Sequence, residues 1–238
     1  MVLAPALGIE IEIEDFMLPI KDDIPSRSFP LVNTVIIAVN CAVFLFEVSL
    51  GRQAQALIFN FGIIPKRILS SGPADWSTIL SSMFLHGGWA HVLGNMLYLY
   101  IFGDNVEDAL GHIRYLIFYL LCGFGAAWAQ ILSAPHSVVP MVGASGAIAG
   151  VLGAYFVLYP RAGVLTLIPL GFFLQVVRIP AVIVLGFWIV IQFFSGLASI
   201  PLAQTAGGGV AWFAHIGGFV SGLVLVRIFA AKRLTGRF

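Results

Sequence analysis

The chain has 238 residues, of which 60% are hydrophobic and 10% charged, where an ordinary soluble domain carries about 25% charged residues. No soluble fold of this size could hide so much apolar surface, and a formal net charge of +1 gives no sign of a nucleic-acid partner. The lipid bilayer is the first partner that the composition implies.

The opening residues alternate apolar with acidic side chains over 9–15 and carry several prolines. They lack the basic start and small-residue cleavage site of a signal peptide, so 1–30 is expected to form a retained cytosolic segment. Met17 opens a cleaner start, and 1–16 read equally well as native sequence and as a dispensable overrun.

A bilayer core about 30 Å thick takes about 20 helical residues to cross. Six stretches qualify or nearly so: 32–50, 88–102, 115–132, 143–159, 179–200 and 210–231, the second and fourth being short. The spacing predicts an all-α, polytopic bundle of six transmembrane helices over 31–231, followed by a cytosolic tail, 232–238. The connection 51–85 is long and mixes apolar residues with turn signals such as Ser71-Gly72-Pro73, so it is expected to fold as a partly embedded first outer loop. A further apolar run, 164–177, is interrupted by Pro169 and Gly171 and fenced by Arg161 and Arg178; it reads as an interfacial connection. Cys41 and Cys122 both fall in apolar runs, where packing as small hydrophobes is expected.

Basic residues collect in short cytosolic segments. With both termini inside, the inner segments hold nine of them, Lys21, Arg27, Arg114, Arg161, Arg178, Arg227, Lys232, Arg233 and Arg237, against three outside, Arg52, Lys66 and Arg67.

Polar side chains inside spans are costly and therefore mark function. They are Asn40 and Glu47 in the first span, His91 and Asn95 in the second, Gln130 in the third, Ser145 in the fourth, Gln192 and Ser195 in the fifth and His215 in the sixth. Spans two, four and six all run inward. His91 precedes Asp104 by 13 residues, Ser145 precedes Pro160 by 15, and His215 precedes Arg227 by 12. At about 1.5 Å per residue, the three side chains share one layer roughly 18 to 24 Å above the cytosolic boundary. A helix starting near Ser145 leaves 133–143 as irregular backbone, which membranes tolerate only where it is buried in protein or lines a wet cavity.

Gly143-Ala144-Ser145-Gly146 sets an unobstructed hydroxyl at a helix start, where first-turn N–H groups can bind a developing oxyanion. Serine needs a base within hydrogen-bond reach, and His215 is the best-placed candidate. Gly146 with Gly150, and Gly218 with Gly222, form small-residue faces that would let the fourth and sixth helices meet. His91 and Asn95, spaced i, i+4, share a face and could supply oxyanion donors. Glu47 is the one acid within a span and is not excluded by depth as a third member, but a dyad with His215 held by packing is the simpler reading. No His-Glu-x-x-His occurs, and His86 and His91 are five apart, a poor helical chelate, so neither a metal nor another cofactor is expected. A transporter would also place polar groups at one depth, yet no paired inverted repeat is visible.

The combination of His86 and His91-Val92-Leu93-Gly94-Asn95, Gly103-x-x-x-Glu107-x-x-x-Gly111, Gly143-Ala144-Ser145-Gly146, and Ala214-His215-Ile216-Gly217-Gly218 with Gly222 resembles the rhomboid family of intramembrane serine proteases, in its bacterial form, from Met17 onward. The resemblance implies a rhomboid-like six-span fold and a Ser145–His215 dyad, with His91 and Asn95 stabilising the oxyanion. It also implies that substrates are transmembrane proteins entering sideways near the second and fifth helices, in a bacterial inner membrane. The aromatic residues Phe187, Trp188, Phe193 and Phe194 would suit a lipid-facing gate there. A rhomboid-like scaffold without activity would be expected to lack the serine or the histidine, and both are present. Two positions depart from the pattern. Trp76 precedes Ser77 where an arginine is common, and Ala149 stands where an aromatic ring often stacks on the histidine, which leaves that stacking to another ring.

Overall fold

The computed structural model describes residues 17–170, 173–199 and 210–230; residues 1–16 and the tail 232–238, with three of the counted basic residues, lie outside the described residues. In chain order, strand β1 (Leu18–Asp22) precedes helix α1 (Leu31–Ser49), and three short helices follow, α2 (Ala54–Phe61), α3 (Pro65–Ser71) and α4 (Ser77–Ser82). Then come α5 (Trp89–Tyr98), α6 (Asp104–Leu110), α7 (His112–Ser133), α8 (Ser145–Leu158), the strands β2 (Gly163–Leu170) and β3 (Phe173–Pro180), α9 (Ala181–Ser199) and α10 (Trp212–Phe229). The protein is a mostly helical, integral membrane bundle. Helices α1, α7, α9 and α10 are each long and apolar enough to cross a bilayer.

The short α8 is the centre of the bundle. Eleven of its 14 residues are buried, which its glycines and alanines allow because they let neighbouring backbones approach closely. A Cβ at Gly218 would fall on the Gly146 carbonyl, one at Gly222 on the Gly150 carbonyl, and one at Gly150 on the Cys122 side chain. Helices α8 and α10 are thus in backbone contact along two turns. Cys122 is buried in that packing, as expected, whereas Cys41 is exposed on α1.

The second helix is longer than the apolar run 88–102 suggested. It passes through a π turn at Leu99–Gly103 into α6 and ends at Leu110, carrying Asp104, Glu107 and Asp108 in its last turns. These acids are tolerated because the preceding segment supplies donors. Ser26 and Ser28 donate to Asp104 and Asp108, and the N–H groups of Val32 and Asn33 donate to Glu107 at 2.9 and 2.7 Å. Glu107 therefore caps the start of α1, a stabilising place for a carboxylate. Asn33 donates to the Leu99 carbonyl at the start of the π turn and accepts from the Tyr115 hydroxyl; Gly103 leaves the room it occupies.

The run 164–177 is an antiparallel hairpin, and β1 adds to it in the order β1-β2-β3, with Leu18 opposite Leu167 and Gly163 opposite Pro180. This small sheet is an addition to the helical reading. Val164, Thr166, Ile168, Val176 and Val177 are β-branched and favour strand, but so apolar a run shows no alternation from which a strand could be read.

The first long connection folds as expected instead of trailing free. Ile63, Ile68 and Ile79 pack against Ala127 and Ile131 of α7, and Ile63 pairs with Met141 through two backbone hydrogen bonds. Arg67 donates to the carbonyls of Phe59 and Gly62, both at 2.8 Å, and Trp76, which is followed by Ser77, packs edge-on against Trp128.

Asp22, at the end of β1, accepts from the Tyr155 hydroxyl at 2.5 Å. Burial, assisted by the nearby Asp104 and Asp23 charges and only partly offset by that hydrogen bond, pushes its carboxyl up to about 6. A carboxyl raised in the folded state favours folding when protonated, so its contribution is fully present below the unfolded value and is lost as pH rises through about 6. Asp22→Asn keeps an acceptor for Tyr155 and removes the charge. It is expected to melt higher than the parent in detergent at about pH 8, with the gap closing by about pH 4. An unchanged gap across that range would contradict the assignment.

Candidate active site

Helix α8 begins at Ser145, as the short fourth span implied, and α10 carries His215 one turn from its own start. The Ser145 hydroxyl donates to His215 Nε2 at 2.8 Å. The pair sits where the glycine faces of the two helices touch: Gly146 follows the serine and Gly218 lies three residues after the histidine. The α10 end is held by α7, since Gln130 Oε1 accepts the Ala214 N–H at 3.2 Å.

On its other side, His215 Nδ1 faces Gln192 Oε1 of α9 at 2.6 Å. A carbonyl oxygen only accepts, so Nδ1 carries the imidazole proton and Nε2 presents its lone pair to the serine. The ring is covered by Trp188 of α9, 5.8 Å away between centroids, and by Trp212, 6.4 Å away and edge-on. These are the rings that replace an aromatic at position 149. The expectation of a histidine held by packing did not include this contact with Gln192. Its signal was present as the i, i+4 pair Trp188 and Gln192, one polar and one amphipathic side chain on the same face of an apolar helix. Of the aromatic residues read as a lipid-facing gate, Phe187, Phe193 and Phe194 are exposed, but Trp188 turns inward onto the histidine.

His91 borders the same point. Gly143 has φ +126, a conformation suited to glycine, and the space its side chain would fill holds the His91 ring, with Nε2 2.6 Å from that position and Ser145 Oγ at 3.6 Å. The Gly87 N–H donates to His91 Nδ1 at 3.4 Å, which leaves Nε2 to carry the ring proton. The irregular segment before α8 is fixed by the Gly143 N–H donating to the Ser82 carbonyl at 2.9 Å. Asn95 shares its helix face with His91, as expected, but donates to His86 Nε2 at 3.0 Å, so one of its two amide hydrogens is taken. Glu47 accepts the His86 backbone N–H, while the acceptor at His215 Nδ1 is Gln192. A recess lined by Ser82, Met83, Met141 and Ala211 opens beside Ser145. Among the described residues, no group of three or more His, Cys, Asp or Glu side chains could hold a metal.

A hydroxyl aligned on a neutral imidazole, beside a recess within a membrane bundle, is an arrangement able to deliver a nucleophile to a peptide carbonyl. The chain belongs to the rhomboid family: the rhomboid domain model matches residues 73–232, which include Ser145, His215, His91 and Asn95. It is similar to RHOMBOID-like protein 4 of Arabidopsis thaliana (32% identical, covering 74% of this chain and 39% of that protein) and to Rhomboid-like protein 11, chloroplastic, of the same plant (30%, covering 80% and 62%). It is also similar to Rhomboid protease GluP of Bacillus subtilis (35%, covering 47% and 21%). The chain spans less than two thirds of the length of each of these relatives.

Proposed function

We propose that this protein is an intramembrane serine endopeptidase that cleaves peptide bonds in or near the transmembrane segments of other membrane proteins. The observation that carries the reading is the 2.8 Å hydrogen bond from Ser145 to His215 Nε2, inside a bundle whose family includes a relative named as a protease. As Ser145 Oγ attacks the substrate carbonyl, its proton passes to Nε2. The His91 Nε2–H and the first-turn N–H groups of α8 receive the oxyanion, and Asn95 contributes its second amide hydrogen. His215 then protonates the leaving amine, and the acyl-enzyme forms. Water entering by the recess gives its proton to His215 as it attacks the ester, and Ser145 recovers its hydrogen when the acid product leaves.

The helical path through α5 and α6 and the short α8 complete a six-span domain over 31–231, with the first outer loop embedded in the membrane. Both termini face the cytosol of a bacterial cell, a reading supported by the nine-to-three distribution of basic residues. Substrates approach from the side between α5 and α9.

A fluorescent, serine-reactive phosphonate tests the reading directly. It is expected to label the reconstituted protein on Ser145, to fail after Ser145→Ala, and to react equally with and without EDTA. Undiminished labelling of Ser145→Ala would place the reactive group elsewhere.

A further inference from the structure

We propose that Gln192 is the positioning residue of this site, holding the His215 imidazole in the tautomer and orientation that the serine requires. The role rests on the reading of Ser145 and His215 as the reacting pair. A neutral imidazole has one N–H and one lone pair, and only the form protonated on Nδ1 can accept from Ser145. Gln192 Oε1, 2.6 Å from Nδ1 and fully buried, selects that form because it has no hydrogen to give. When His215 takes the serine proton, the same oxygen faces the growing positive charge, and its dipole points the favourable way.

The choice of an amide follows from the surroundings. The last acidic residue of the chain is Asp108, so α7, α8, α9 and α10 contain none, and Glu47 is engaged by His86. A carboxylate on α9 would have to leave water for hydrocarbon, a cost of several kcal/mol that falls on the stability of the fold and still leaves an oxygen able to accept from Nδ1. An amide offers a directed acceptor without that charge. Trp188, one turn before it on the same face, restrains the ring from rotating away.

The test compares Gln192→Met, close in size but lacking the acceptor, with Gln192→Glu, which restores an acceptor oxygen, in proteoliposomes carrying a single-span substrate. Gln192→Met is expected to lower kcat about 10²-fold with KM within about twofold, and Gln192→Glu to recover most of that loss. Nitrogen-15 NMR of histidine-labelled protein should find His215 protonated on Nδ1 in the parent and losing that preference in Gln192→Met, a change that loosened packing alone would not produce. The role is overturned by a Gln192→Met protein whose kcat is unchanged, by a Gln192→Glu protein that melts like Gln192→Met yet performs no better, or by a parent protein protonated on Nε2, which can be read even if a variant does not fold. Cleavage surviving Ser145→Ala would instead overturn the reading of the reacting pair, and this role with it.

Discussion

Ser145→Ala and His215→Ala should each cut the rate of substrate cleavage in proteoliposomes by about 10³-fold or more, and the double variant should be no slower than either single one. The reason lies in the one hydrogen bond that joins them. Without His215 the hydroxyl keeps its proton at neutral pH and is a poor nucleophile; without Ser145 the imidazole has nothing to activate. Groups that act as a unit lose their whole contribution when either is removed, so the effects do not add. Any residual rate would come from binding and oxyanion stabilisation, which the substitutions leave in place. Ser145→Ala should melt close to the parent, whereas His215→Ala, which removes the donor to the buried Gln192 Oε1 and leaves a space under the tryptophans, should melt lower while remaining folded. Efficient cleavage by Ser145→Ala would sink the nucleophile assignment, and rates falling multiplicatively in the double variant would sink the coupling.

The second large effect concerns folding. Gly218→Val should remove the folded protein from detergent extracts, or lower its melting temperature so far that activity and structure are lost together. Overpacking a core typically costs about 1 to 3 kcal/mol where side chains can shift. Here the obstacle is the Gly146 carbonyl, part of the α8 backbone, and the only relief is to separate α8 from α10. That separation would also pull the serine from the histidine. Gly94→Ala on α5 is the control, since nothing lies within 4 Å of the position its Cβ would take, and alanine favours helix by up to about 1 kcal/mol. It is expected to be neutral or stabilising. A normally folded and active Gly218→Val would mean that the two helices are not locked as the contact implies.

The parts of this molecule that were legible in its sequence are those where lipid leaves few options. Long apolar runs locate α1, α7, α9 and α10 to within about three residues at each end, because a hydrocarbon core demands them. Ser145 and His215 stand out because polar groups there are rare, and the glycines at 146, 150, 218 and 222 because close helix contact needs them. What stayed hidden depends on partners far apart in the chain. The α5 and α6 path looked short because Asp104 resembles a span's end, and only the donors of 26–33 explain why the helix continues. The sheet was invisible because β2 and β3 are apolar throughout and β1 meets β2 across about 145 residues. Gln192 was visible as a polar residue in a span, but which ring nitrogen it meets is decided by how α9 leans on α10. Arg67 ties its loop through the carbonyls of Phe59 and Gly62, contacts that spacing alone conceals.

Helix α9 supplies His215 with both Gln192 and Trp188, yet Ile183, Phe187, Val190, Phe193 and Phe194 all point away from the bundle. An outward swing of α9 that opened a doorway for a guest helix would strip the imidazole of its acceptor and its roof in one motion. On the proposed route between α5 and α9, admission and chemical readiness would compete for the same helix. A guest would then have to slip past α9 while it stays seated, or wait for it to return before any bond is broken.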